Sequence, residues 1–166
     1  MSDSTTTIKR YERTSETKLL EFSAKKPYDD VIRDFERQLG RLDQDVALRS
    51  DDLKTAVEGM AGELGLMVIH SLEMGALLPS LTSSNTKARQ YLVGNPLIAS
   101  QMAQFDPRAA LFAPPRVLIH SSNDETHISY EIPSTTFGRL FHPAIDETAL
   151  QLDEKFETLA QRALAV

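Results

Sequence analysis

With 166 residues, of which 41% are apolar and 25% charged, the chain has the length and composition of one globular domain with a core of its own, and a single domain is the expectation. Eighteen basic against 24 acidic residues give a formal charge of −6 with no basic cluster, which argues against a nucleic-acid partner. Cysteine is absent, so disulfides and thiolate metal sites are excluded, and a reducing compartment suits the chain. The polar start Met1-Ser-Asp-Ser-Thr-Thr-Thr7 lacks a secretory h-region, and no apolar run approaches the roughly 20 residues that a membrane helix needs. A cytoplasmic protein without membrane association is the expectation.

Residues 1–15, rich in Ser, Thr and charge, read as a flexible lead-in to a single domain over 16–166. Lys18–Ala24 places Leu20 and Phe22 at period two and predicts the first strand. Pro27 with Asp29 and Asp30 opens a helix, and Val31, Phe35, Leu39 and Leu42 carry its apolar stripe to a left-handed cap expected at Gly40. A second helix is expected from Ser50, with Leu53, Val57, Met60 and Leu64 on one face and Gly59, Gly62 and Gly65 weakening it.

Leu66–Leu72 reads as a buried strand, followed by a loop through Gly75, Pro79 and Thr82–Thr86. Lys87–Val93 resumes a strand. Asn95 and Pro96 then cap and open a helix with Ile98, Met102 and Phe105 on its stripe, ended by Asp106-Pro107. Pro115–His120 and Thr126–Ile132 flank the polar turn Ser121–Glu125 and predict an antiparallel pair. The last helix starts at Pro143 and carries Ile145, Ala149, Leu152, Phe156, Leu159 and Ala163. The fold class is therefore α+β, with a single mixed or antiparallel sheet of about five strands and helices packed on it. Strand order cannot be read from this pattern.

From about Leu64 to Leu159 the chain resembles the family known as domain of unknown function 302. The resemblance is carried by Lys87-Ala-Arg-Gln-Tyr-Leu-Val-Gly-Asn-Pro-Leu-Ile-Ala99, by Asp106-Pro-Arg-Ala-Ala-Leu-Phe-Ala-Pro114, by Arg116-Val-Leu-Ile119 and by Tyr130-Glu-Ile-Pro-Ser134 with Phe137-Gly138. It implies a small α+β domain, often dimeric, and no established reaction. It also implies an Asp-His-Gly or similar triplet after the second strand, where this chain has Glu73-Met74-Gly75. A histidine that does chemistry in relatives would be missing here.

Four residues are candidates for a ligand site: Arg89 and Tyr91 on one strand, Asn95 at the following helix start, where free amides suit an anion, and Arg116. The expected ligand is small and organic or anionic, held in a crevice between the sheet and the Asn95 helix. Asn95 as a plain helix cap is the competing reading. Met67, Met74, Met102, Phe105, Phe112 and Phe137 are candidates for an apolar pocket, although most are needed for the core. His70, His120, His127 and His142 show no His-x-x-x-His spacing, so no metal and no cofactor is expected, although strands remain able to bring two of them together.

The alternative function is a cofactor-independent enzyme, an isomerase or lyase working by acid-base chemistry, if Glu73, Tyr91, His127 and Glu131 share a pocket. Nucleophile elbows, phosphate-binding glycine loops and thiol nucleophiles are absent from the sequence. Phe137-Gly-Arg-Leu-Phe-His142 adds apolar surface beside the last helix, and a homodimer with Leu140 or Phe141 at or near its interface is expected from it.

Overall fold

The computed structural model describes residues 8–165, so the first seven residues of the expected lead-in lie outside it. Residues 8–18 form neither helix nor strand, and Ile8 and Tyr11 are exposed. The first strand, β1 (Leu19–Ala24), leads to helix α1 (Tyr28–Glu36) and then to a two-residue strand β2 (Gly40–Arg41). Helices α2 (Gln44–Arg49) and α3 (Leu53–Met60) precede β3 (Met67–Leu72). Short helices α4 (Met74–Leu77) and α5 (Pro79–Ser83) connect to β4 (Ala88–Gly94), and α6 (Pro96–Ala103) and α7 (Ala109–Phe112) lead to β5 (Arg116–Ser122). After β6 (Glu125–Glu131) come α8 (Pro133–Phe137), a 3-10 turn (Gly138–Leu140) and the long α9 (Pro143–Leu164).

The sheet has six strands in the order β1-β6-β5-β4-β3-β2, antiparallel throughout except for the β2–β3 pair. Its alternation assigns the faces. Ile119, Ile128, Tyr130 and Tyr91 turn into one core with Val31 and Phe35 of α1 and all six stripe residues of α9, and Leu20 and Phe22 pack against it. Phe35 meets Tyr91 at 5.1 Å between ring centroids, and Tyr130 meets Phe156 at 5.5 Å. The other face of β1, β6 and β5 presents Leu19, Glu21, His127, Ser129, Leu118 and His120, none of them buried.

The sixth strand exceeds the expected five, and its cause is a pairing with β3. The stripe Val31, Phe35, Leu39, Leu42 suggests one helix, yet α1 ends at Glu36, because the Gly40 and Leu42 amides donate to Leu66 and Val68 at 3.0 and 3.1 Å. Gly40 is thus extended, not a left-handed helix cap. It has to be glycine for another reason: a Cβ there would lie 1.7 Å from the Met60 carbonyl oxygen. Tertiary pairing has overridden helical periodicity here.

Asp52, not Ser50, caps α3 by accepting from the Thr55 amide, and α2 stands where no helix was expected, capped by Asp43. The loop predicted between Gly75 and Thr86 is largely the two short helices α4 and α5. Leu140 is buried in the core edge, whereas Phe141 projects to solvent with left-handed backbone (φ 53°). Among the described residues, no helix is long and apolar enough to cross a membrane.

Candidate functional site

Beside the Asn95 helix lies a crevice with an apolar lining. Gly94 ends β4, and a Cβ there would come within 3.1 Å of Pro114 Cβ, so glycine lets the Pro114-Pro115 segment close against the strand. Asn95 then starts α6: its Oδ1 accepts from the Leu97 amide at 2.8 Å, and its Nδ2 donates to the Gly65 carbonyl at 2.8 Å. Between α6, α7, the proline segment and α9 lies a cavity of 220 Å³. Ile98, Ala99 and Met102 of α6, Ala110 of α7, and Phe137 and Leu152 line it, and no lining residue is charged. Met102 and Phe137 are two of the apolar-pocket candidates from the sequence; Met67, Met74, Phe105 and Phe112 are not among its walls.

The ligand set itself does not hold together. Arg89 and Asn95 are six residues apart along an extended strand, roughly 20 Å at about 3.4 Å per residue. Arg89 and Tyr91 instead form a polar cluster with Glu73, one of the acid-base candidates, and with Glu36, which the sequence did not single out. Tyr91 donates its hydroxyl proton to Glu36 Oε1 at 2.8 Å, and Arg89 donates to Glu36 at 3.1 Å, to the Tyr91 oxygen at 3.4 Å and to Glu73. Burial disfavours charge on Arg89, but hydrogen bonds to Tyr91 and Glu73 outweigh it and raise the guanidinium pKa. Burial likewise raises the Tyr91 hydroxyl pKa.

The adjoining polar cleft of 330 Å³ offers no vacant cation, since Arg89 is held by Glu36 and Glu73 and Lys87 by Asp29 at 2.8 Å. Arg116 pairs with Leu92 in the β4–β5 register, alternates onto the opposite face from Tyr91, and is exposed. The anionic form of the ligand expectation therefore has no cation at the crevice, and Asn95 serves as a cap and a tie to the Gly65 turn. Asn95→Ala should destabilise the fold by about 1–2 kcal/mol, the range for loss of a helix cap, as read by urea unfolding.

Nor do the proposed acid-base groups converge. Glu73 pairs with Arg89, His127 with Glu21 at 3.3 Å, Glu131 accepts from Thr17 at 3.5 Å, and His70 is exposed on β3. Tyr91 and Glu73 touch one guanidinium, but His127 and Glu131 belong to the other face, so no single pocket gathers the set.

One constellation escaped the sequence reading. His120 and His127 face each other directly in the β5–β6 register, with rings 4.8 Å apart and 2° from parallel, and Glu21 reaches them from β1. One ligand-capable atom from each of the three lies within 4.8 Å of the others. Ser129 donates to Glu21 Oε2 at 2.8 Å; this bond, with His127 beside it, lowers the Glu21 pKa. Burial, then the neighbouring His127, pushes the His120 pKa down.

The signal was present in the turn. Asn123 and Asp124 both take positive φ (50° and 62°), as a two-residue type I′ hairpin requires. A two-residue turn at Asn123-Asp124 pairs Ser122 with Glu125 and hence His120 with His127. The five-residue turn read from the sequence left that pairing open.

A family model described as "Domain of unknown function DUF302" matches residues 42–163. Among solved structures, the chain is similar to the "uncharacterized conserved protein DUF302 from Bacillus stearothermophilus", with a TM-score of 0.64 and 15% sequence identity over 87% of this chain and 97% of that one. At that identity the likeness speaks to the fold alone. No curated protein matches the sequence.

Proposed function

Because the chain belongs to the DUF302 family, whose description assigns no activity, we propose from its own geometry that it binds a small, uncharged, mainly apolar organic molecule in the crevice between the end of β4 and α6. The observation that carries this reading is the cavity of 220 Å³ with no charged residue in its lining. A dry apolar cavity of about 150 Å³ accepts a molecule the size of benzene, so this volume suits one ring with a short substituent. Transfer of such a body from water gains about 25 cal/mol per Å² of apolar surface. Charged ligands would lose hydration there without a countercharge. Asn95 is the polar group at the wall, and its carboxamide keeps one N–H and one lone pair beyond its two structural bonds.

Benzyl alcohol is a suitable probe, followed by amide NMR titration. Shifts should gather at Gly94, Ala99 and Ala113, which border the cavity. Ala99→Leu places three more carbons in the crevice and should weaken binding at least about tenfold, since each buried methylene-sized contact is worth about 0.8 kcal/mol. Arg89→Ala should titrate as wild type, because Arg89 belongs to the Glu36–Glu73 cluster. Equal affinities for wild type and Ala99→Leu, or shifts centred on β1 and β6, would remove the crevice as the binding site.

A further inference from the structure

We propose that Glu21, His120 and His127 form a binding site for a divalent first-row transition ion, zinc being the reference case, on the sheet face turned away from the core. The donor set comes first. Two imidazole nitrogens and one carboxylate oxygen are the ligands that borderline ions such as Zn(II), Ni(II) and Co(II) prefer, and three protein ligands leave at least one coordination position open.

The backbone holds these donors in register. The β5–β6 hairpin sets His120 opposite His127, and β1 runs antiparallel to β6 with Ser23 opposite His127 and Glu21 opposite Ser129. Glu21 therefore sits diagonally from His127 on the same face, within reach of a long side chain. Three adjacent strands of one sheet supply the site, so its donors move little relative to one another. Ser129 holds one carboxylate oxygen, leaving Oε1 directed at His127 Nδ1. This is the orienting outer contact that metal-binding carboxylates commonly have.

The distances suit a small adjustment. Ligands around a tetrahedral zinc with bonds of about 2.0–2.1 Å stand about 3.3 Å from one another. Glu21 Oε1 and His127 Nδ1 are already 3.3 Å apart, and His120 Nε2 lies 4.0 Å from Glu21 Oε2. The two parallel rings have to tilt toward a common point, and χ2 of histidine is a broad, soft torsion. His120 and Glu21 also line a groove of 810 Å³ that continues past Gln90 and Arg116 to Arg139, so the open coordination position faces space for a further ligand. This is the arrangement of an exchangeable site rather than a closed structural one.

Tag-free protein, stripped with a chelator, is titrated with zinc chloride by calorimetry, and with cobalt chloride followed by visible absorption. One ion per chain is expected, with d–d bands of low-symmetry Co(II). His120→Gln and Glu21→Gln should each weaken binding by about 100-fold, at the upper end of what loss of even an outer-shell partner costs. His70→Gln, on exposed β3, should bind as wild type. Because the variants alter partly exposed positions, circular dichroism checks that they fold. If one did not, the ring nitrogens of wild type provide a second reading: zinc should shift those of His120 and His127 and leave those of His70 and His142 in place. Wild type binding no more tightly than His120→Gln, His70→Gln losing as much as the cluster variants, or zinc leaving the His120 and His127 nitrogens unmoved would each overturn the site. None of these outcomes bears on the apolar crevice, which shares no residue with the cluster.

Discussion

Gly40→Ala is expected to lower the melting temperature by about 6–12 °C, which corresponds to about 3 kcal/mol in a domain of this length. The added carbon would stand 1.7 Å from the Met60 oxygen, 2.8 Å from the Met60 carbonyl carbon and 2.9 Å from the Ala61 carbonyl carbon, all backbone atoms with no side-chain rotamer to yield. Relief requires β2 to leave β3, which breaks the hydrogen bonds of the Gly40 and Leu42 amides to Leu66 and Val68, or the end of α3 to lift, which pulls on the hydrogen bond of the Gly62 amide to Leu66. Gly59 is the control. A Cβ there meets nothing within 4 Å, and the residue lies inside α3, so Gly59→Ala should stabilise the protein by about 0.5–1 kcal/mol. Thermal melts that place Gly40→Ala within 2 °C or so of wild type would show that the β2 contact is not needed for the fold.

Phe137→Ala is expected to cost about 3–5 kcal/mol, the usual range for removing a buried phenylalanine. Its ring is fully buried, packs edge-on to Phe112 at 6.2 Å and forms part of the crevice wall. One substitution therefore changes two readouts in opposite directions. Urea unfolding should show the loss of stability, while the enlarged cavity should accept bulkier apolar ligands that wild type rejects, so ligand-induced stabilisation grows with ligand size only in the variant. A loss below about 1 kcal/mol would mean that the neighbours collapse into the space, and the wider ligand range should then vanish as well.

Where secondary structure is set by local pattern, the sequence reading transferred intact. The stripe of α9 from Ile145 to Ala163 is buried to its last member, and Asn95 with Pro96 opens α6 as expected. What failed depends on partners distant in sequence. Leu39 and Leu42 keep helical spacing but belong to an extended segment, because β3 offers hydrogen bonds that α1 cannot. The same limit governed the sites. Met102 and Phe137 were recognisable as pocket material, since side chains of that size have to meet somewhere inside. Arg89 and Arg116 look alike in sequence, but the sheet alternation sends them to opposite faces. Glu21 was never a candidate, because nothing near it in the chain suggests chemistry. Its partners arrive from the other end of the domain.

The sheet order also sets a timetable for synthesis. Strand β1 is made first, yet its hydrogen-bonding neighbour is β6, and Glu21 and Ser129, which bond across that pair, are 108 residues apart in the chain. At a translation rate of about 5–20 residues per second, β1 waits about 5–20 s before the segment it pairs with has been polymerised, and longer before that segment clears the ribosome. Helix α1 waits less long for its first sheet partner, because Tyr91 of β4, on which Phe35 packs, is made well before β6. The family pattern at residues 42–163 begins after both elements. Glu21 therefore reaches the two histidines only once β6 has been made and β1 has paired along its open edge.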